Sequence, residues 1–349
     1  MSIWSQKLSR PPYTDMGEDQ HLSPIFGRGA PTLAGWKRRR KTLLRRWQDV
    51  LGSHSMPEFD RTEARVEEFE LPEAHATLFR LPTSPATRQL ALLLRPKTAI
   101  HRPCPGAIVP FYNPDLMAGY DLATRQPKER STTHFGRHLV QQGYVVLCTQ
   151  AFPFNTVPDP KSDANFAWWH AAAAKVLGDN PHWTGMGKLI WDTWLGTDFL
   201  LRQPDVDAER ILIIGHSLGG KMAFYNGALD ERIKAVIASD FGIGYSFTNW
   251  QDPWYLGTKV HDPRLGVGHH ELLALTAPRA FLLIAGLYDK RESWQYLNEA
   301  AKVYALHGRE HALGMFDHAS GHTPTEESMR IAYEWLTEQF GLPPMPWQV

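Results

Sequence analysis

From Leu33 onward the apolar positions fall at Leu33, Trp36, Leu43, Leu44, Trp47 and Leu51, close to the helical period, while Lys37 to Lys41 and Arg45–Arg46 fill the other positions with charge. The pattern predicts a basic amphipathic helix that stops at Gly52. Short alternating or apolar runs follow at 65–71, 76–81 and 90–94 with turn residues between them, and predict antiparallel strands at a sheet edge. From residue 106 the texture changes. Apolar runs predict buried strands at 106–112, 144–148, 210–214, 233–238, 278–285 and 312–316. Helices are predicted between and after them at 133–142, 187–203, 221–229, 293–307 and 325–340. Strand and helix alternate to the end, which implies a mostly parallel sheet covered by helices and joined by right-handed connections.

This pattern divides the chain into residues 1–60, a Pro- and Gly-rich arm followed by the basic helix, and residues 61–349, one catalytic-sized α/β domain. Lys plus Arg and Asp plus Glu both number 37, so no global charge draws the chain to nucleic acid or to an anionic membrane. The basic helix is expected to be a solvated face whose charge is met by the acidic stretch 63–73. Its competing reading is a nucleic-acid or membrane-surface element. Cys104 and Cys148 have neither disulfide-framework nor zinc spacing, and residues 1–20 lack the order of a secretory leader. The expected location is therefore cytoplasmic. The 13 Trp, 16 Phe and 11 Tyr supply flat apolar surface for a core or for stacking on a ligand.

One short stretch carries chemistry. Ile211 to Ile214 lead into Gly215-His216-Ser217-Leu218-Gly219 and then a predicted helix. In G-x-S-x-G the glycines allow a strained strand-to-helix turn that exposes the serine hydroxyl, and the strand and helix flanks are the setting this turn needs. Ser217 is thus the expected nucleophile. The backbone amide of Leu218, at the helix start, is the expected first oxyanion donor, and that of Tyr112, after the 106–112 strand, the second, with Asn113 close behind.

Chain order narrows the base and the acid. Among 16 histidines, His318 and His322 lie in the loop after the last strand. His322 is preferred because it follows Gly321 and precedes a helix start read as Thr323 cap and Pro324. The orienting carboxylate is expected to be Asp289, after the 278–285 strand. Asp240, after the preceding strand, is the alternative acid, and Glu292 a third.

The order Ser217, Asp289, His322 with Gly-His-Ser-Leu-Gly-Gly resembles the α/β-hydrolase superfamily. Val206-Asp207-Ala208-Glu209-Arg210, Ala277-Pro278-Arg279-Ala280 and Ser320-Gly321-His322 followed by Tyr333-Glu334-Trp335-Leu336 resemble its dienelactone hydrolase and acetyl xylan esterase branch. The resemblance covers roughly 60–340. It implies an α/β-hydrolase fold with an eight-stranded type of sheet, an N-terminal helical extension and loop insertions over the site. It also implies esterase chemistry on acyl substrates, often acetylated carbohydrates. Phe111-Tyr112 stands where such proteins usually carry His-Gly at the oxyanion loop, and the nucleophile is serine, not the cysteine of dienelactone hydrolases proper. Lys221 after the elbow is similar to glucuronoyl esterases, but their Cys-Ser-Arg surround is absent.

The expected activity is a serine carboxylic ester hydrolase working through an acyl-enzyme, on a small-molecule or saccharide ester. A serine peptidase or amidase, or a non-catalytic binding scaffold of the same fold, is the competing reading. Insertions 151–186 and 243–275 carry Trp168, Trp169, Trp183, Trp250, Trp254 and Tyr255, and Phe111 and Trp254 are the expected substrate contacts. No cofactor or metal is expected. His134 and His138 lack a third ligand and are read as surface or capping residues, while His269-His270-Glu271 falls in a stretch read as irregular. Nucleic-acid and membrane partners are not expected, and self-association is left open.

Overall fold

The computed structural model describes residues 8, 16–17, 20–27, 29–52, 58–156, 167–262, 264 and 266–349. Much of the N-terminal arm lies outside the described residues, as do 157–166 of the first insertion. Nine strands make one sheet: β1 (Ala64–Glu70), β2 (Ala74–Pro82), β3 (Arg88–Pro96), β4 (Cys104–Phe111), β5 (Val145–Gln150), β6 (Val206–His216), β7 (Ala235–Ser239), β8 (Ala280–Ala285) and β9 (Leu313–Asp317). Their spatial order is β1-β2-β3-β5-β4-β6-β7-β8-β9. The first three strands and the β3–β5 pair are antiparallel; every pairing from β5 through β4 to β9 is parallel.

The burial pattern explains this division. β4, β7 and β8 are buried at every residue, as a parallel strand with helices on both faces must be, whereas six of the seven residues of β1 are exposed at the sheet edge. The four aliphatics Ile211 to Ile214 at the centre of β6 are inaccessible, each contributing roughly 1.5–3 kcal/mol by burial. The chain order reverses between β4 and β6. The crevice at their C-terminal ends is the topological switch point, where open α/β sheets place ligands.

Ten α-helices complete the described elements: α1 (Leu33–Leu51), α2 (Pro114–Ala118), α3 (Phe135–Gln141), α4 (Ala167–Asp179), α5 (Gly185–Leu201), α6 (Leu218–Leu229), α7 (Pro253–Leu256), α8 (His269–Thr276), α9 (Trp294–Leu306) and α10 (Glu326–Gln339). The basic helix is α1, capped by the Thr32 hydroxyl accepting from Gly35 N. It buries Trp36, Leu43, Trp47 and Leu51, and Trp47 stacks on His269 with ring centroids 5.9 Å apart. The helix is therefore packed onto the core of the α/β domain.

Its charge is met differently from the expectation. Arg39 donates to the buried Glu271 at 2.8 Å and Arg40 to Glu231 at 2.6 Å, while Glu63, Glu67 and Glu73 of the acidic stretch pair with Arg202, Arg125 and Arg137. The stretch after Trp254 read as irregular contains α8. All eight of its residues are buried, so no polar face marks a helical period in the sequence. The last helix starts later than expected. Its cap is Thr325, which accepts from Ser328 N, not Thr323.

Candidate active site

The turn between β6 and α6 is built by missing side chains. A Cβ on Gly215 would lie 2.1 Å from the carbonyl oxygen of Gly219, and one on Gly219 would lie 2.4 Å from that of Pro110. Only glycine lets the strand, the helix and the end of β4 approach this closely. Ser217 sits at the apex with φ +56° and ψ −116°, a conformation costing about 1–3 kcal/mol that persists only where the surroundings impose it. Its N–H donates to Ser239 O at 2.9 Å, tying the apex to the end of β7. Leu218 is the first residue of α6, so its amide lies at the positive end of that helix.

His322, the expected base, lies across the switch point. The ring of His322 is 4.4 Å, centroid to centroid, from that of His216, the residue before Ser217. Nδ1 of His322 donates to Asp240 Oδ2 at 2.6 Å. A carboxylate oxygen accepts, so this bond assigns a proton to Nδ1. His216 is held neutral: burial first, then the nearby His322, pushes it down to about 4, and its Nδ1 lies 3.0 Å from Ser239 Oγ. His318 has a different engagement, with Nδ1 2.7 Å from Ser320 Oγ, and it packs over Gly286.

The carboxylate against His322 is thus Asp240, the alternative acid, and not the expected Asp289. Asp240 has φ +42° and is fully buried, and its Oδ1 accepts the N–H groups of Leu287, Tyr288 and Asp289 at 3.1, 2.9 and 2.8 Å. Asp289 is equally buried but fully occupied. Its Oδ2 accepts from Gly242 N at 2.8 Å, and its Oδ1 from Ile243 N at 2.7 Å and from the Ser293 hydroxyl at 3.0 Å. Burial, reinforced by the Asp240 charge, raises Asp289 to about 6 against these hydrogen bonds. Glu292, the third acid considered, makes a 3.9 Å ion pair with Arg291.

Beside the elbow lies an aromatic wall. Tyr112, the residue after β4, stacks on Phe111 at 4.3 Å and on Phe154 at 4.8 Å, and meets Trp169 edge-on at 5.2 Å. A cavity of about 140 Å³ opens here between Tyr112, Trp169, Trp254, Tyr255, Asn249 and Asp252. Trp254 therefore reaches the cavity. The Phe111 ring instead covers the start of α6, 3.3 Å from where a Gly219 Cβ would stand. Trp250 is a core residue, its indole N–H donating to Gly242 O at 2.6 Å, and Trp183 bridges to Gly52. The side chain of Trp168 lies outside the described residues.

Lys221, one turn into α6, was not foreseen as part of this wall. It is 3% exposed, donates to Asn249 Oδ1 at 2.6 Å, and lies 4.5 Å from the centroids of both Trp250 and Tyr255. Burial lowers it to about 7, with Asp252 and Asp289 opposing the shift. Asn249 passes the contact on, donating to Asp252 Oδ2 at 3.2 Å. No sequence signal ties Asn249 or Asp252 to the site.

Among the described residues no three His, Cys, Asp or Glu side chains converge as metal ligands. His134 and His138 are buried, not surface residues: His138 Nδ1 lies 2.9 Å from the Tyr333 hydroxyl, and burial pushes His138 down to about 3. No described helix is long and apolar enough to cross a membrane.

A mostly parallel sheet flanked by helices, with the serine turn after β6 and the histidine after the last strand, is the α/β-hydrolase fold. Residues 127–249, which span β5, β6, the turn and β7, match the model of the Dienelactone hydrolase family. The putative hydrolase YtaP of Bacillus subtilis (strain 168) is 27% identical over 216 residues, covering 59% of this chain and 69% of that one. The carbohydrate esterase MZ0003, from an unknown prokaryotic organism, is 26% identical over 133 residues, 33% of this chain and 31% of its own. Among solved structures, a glucuronoyl esterase from Solibacter usitatus superposes with a TM-score of 0.69 at 18% identity, over 96% of this chain and 99% of its own. A putative acetyl xylan esterase from Bacteroides fragilis gives 0.65 at 16% identity, over 87% and 78%. The shared fold thus extends over almost the whole chain.

Proposed function

We propose that this chain is a carboxylic ester hydrolase that works through Ser217, His322 and Asp240. The observation that carries the reading is the 2.6 Å bond from His322 to a buried carboxylate, with the His322 ring 4.4 Å from that of His216, the residue before a serine held at positive φ on a glycine-built turn. Nε2 of His322 takes the hydroxyl proton as Ser217 Oγ attacks the ester carbonyl carbon. Asp240 steadies the imidazolium. The oxyanion that forms is met by the amide of Leu218 and by that of Tyr112. The tetrahedral adduct collapses, its C–O bond to the alcohol breaks, and Nε2 returns the proton to the departing alkoxide. Water then attacks the acyl-enzyme by the same path, releasing the carboxylic acid and restoring Ser217.

We infer that the acyl group enters the small cavity bordered by Tyr112 and Trp254. A cavity of about 140 Å³ is well below the roughly 300–1,000 Å³ of sites that enclose drug-sized ligands, which favours a short acyl group. Aromatic faces beside Asn249 and Asp252 suit a polyhydroxylated alcohol or acyl moiety at the rim, and the carbohydrate esterase and acetyl xylan esterase among the similar proteins support a saccharide ester.

A fluorophosphonate probe and paired acetyl substrates test the reading. Wild type should be labelled, Ser217→Ala should not, and a nitrophenyl acetate should be turned over faster than the matching acetanilide. Equal labelling of the variant, or anilide turnover exceeding ester turnover, would reject it.

A further inference from the structure

The aromatic wall is held from behind by charges that the ester chemistry does not use. Lys188 and Asp192 stand one turn apart on α5, both about 1% exposed, and pair with each other through Nζ and Oδ1. A buried ion pair adds little stability over apolar residues of the same size, so its presence calls for a geometric reason. Asp192 has one. Its Oδ2 accepts from Asn155 Nδ2 at 2.7 Å, and its backbone carbonyl accepts from Gln89 Nε2 at 2.9 Å.

Asn155 belongs to the loop that leaves β5, and it follows Phe154, the ring stacked 4.8 Å from Tyr112 and set edge-on 4.7 Å from Trp169. The same helix touches the wall a second time. Gly185, one turn before Lys188, lies against Trp254, whose ring would be 2.4 Å from a Cβ there. Trp169 and Trp254 are in turn 5.4 Å apart. One rigid helix thus sets both ends of a continuous row of rings bordering the cavity.

We propose that the Lys188–Asp192 pair, through Asn155, is a positioning device that fixes Phe154 and Tyr112 and so sets the largest acyl group the site accepts. The proposal rests on the ester-hydrolase reading above. Lys188 aims the Asp192 carboxyl, Asp192 holds the Asn155 amide, and the loop cannot swing its phenyl ring away from Tyr112. Freed of that tie, the wall yields and the penalty on longer acyl chains shrinks.

The test compares kcat/KM for nitrophenyl acetate and nitrophenyl butyrate in the full chain. Asn155→Ala leaves the ion pair whole and cuts the tie, together with the 3.1 Å bond that Asn155 Oδ1 accepts from the Thr156 hydroxyl. Two double variants remove both charges: Lys188→Met with Asp192→Asn keeps a carbonyl oxygen for Asn155, and Lys188→Met with Asp192→Leu does not. The acetate-to-butyrate ratio is expected to fall by about tenfold, the worth of a methylene or so in a tight pocket, in Asn155→Ala and in the Leu double variant. It should stay near wild type in the Asn double variant. Thermal unfolding of all three separates this from simple loosening, which would lower melting temperature in both double variants alike without moving the ratio. An unchanged ratio in Asn155→Ala, or the same ratio in the two double variants, overturns the proposal. Absence of any ester turnover by wild type instead removes the hydrolase reading itself.

Discussion

Replacing Asp240 by Asn should disable the site with little change in its shape. Oδ1 of Asp240 accepts three backbone N–H groups, from Leu287, Tyr288 and Asp289. An amide nitrogen at that position would face three donors, so the Asn carbonyl must take it and the NH2 must turn toward His322. Nδ1 of His322, which now donates to Asp240 Oδ2 at 2.6 Å, would then have to accept. The ring proton moves to Nε2, the atom that has to receive the serine proton. A triad locked in the wrong tautomer loses about 10⁴-fold in kcat, or roughly 5 kcal/mol of transition-state stabilisation. Asp289→Asn touches no atom of His322. Its effect should stay within about 10²-fold, the scale of a misplacement near 1 Å passed through the 242–243 backbone. Steady-state hydrolysis of nitrophenyl acetate by the two variants, with circular dichroism to verify folding, checks the ranking. A larger loss at Asp289, or Asp240→Asn retaining more than a tenth of wild-type kcat, would refute the assignment of the acid.

Two stability measurements follow from the same structure. Asp289 is raised from 3.8 to about 6 in the folded chain, so its contribution is fully present below pH 3.8 and is lost as pH rises through 6. A shift of this size corresponds to about 3 kcal/mol, and urea midpoints taken from pH 4 to 7 should fall less steeply in Asp289→Asn than in wild type; parallel profiles would contradict the shift. Trp47 on α1 is fully buried between His269 and Tyr225, and Trp47→Ala should cost about 3–5 kcal/mol in chemical unfolding. A change below 1 kcal/mol would mean that α1 is a detachable appendage.

The strands of the parallel half were legible because burial on both faces writes unbroken apolar runs, bounded by glycines, into β4 to β8. The serine turn was legible for a related reason: the close approaches at Gly215 and Gly219 admit one residue type, so the constraint surfaces as a motif. Helix α8 was not. With every residue buried it has neither polar face nor period, and His269-His270-Glu271 looks like surface chemistry until the packing shows His269 Nδ1 donating to the Ile243 carbonyl and Nε2 accepting from the Tyr225 hydroxyl, both at 2.7 Å. The partners of α1 were misread because charge matching along the chain favours sequence neighbours. Arg39 and Arg40 instead reach Glu271 and Glu231, which lie about two hundred residues away.

The acid shows where chain order stops being enough. Asp240 and Asp289 each follow a parallel strand, each is fully buried, and the two loops are cross-tied: Asp240 gathers the amides of 287–289, and Asp289 those of 242–243. Composition and spacing treat them alike. What separates them is a count of acceptor sites. Asp289 commits both oxygens to its neighbours, with the Ser293 hydroxyl as a third donor, whereas Asp240 satisfies all three amides with one oxygen and keeps the other for His322. That economy depends on φ +42° at Asp240, which brings three successive amides to a single atom. Such a backbone choice leaves no residue-type signature, since Asp is among the few non-glycine residues that tolerate it. The same argument gives Asp289 a purpose: by anchoring 242–243 it holds the segment that fixes the Asp240 backbone. The carboxylate expected to meet His322 instead holds the segment next to the one that bonds it.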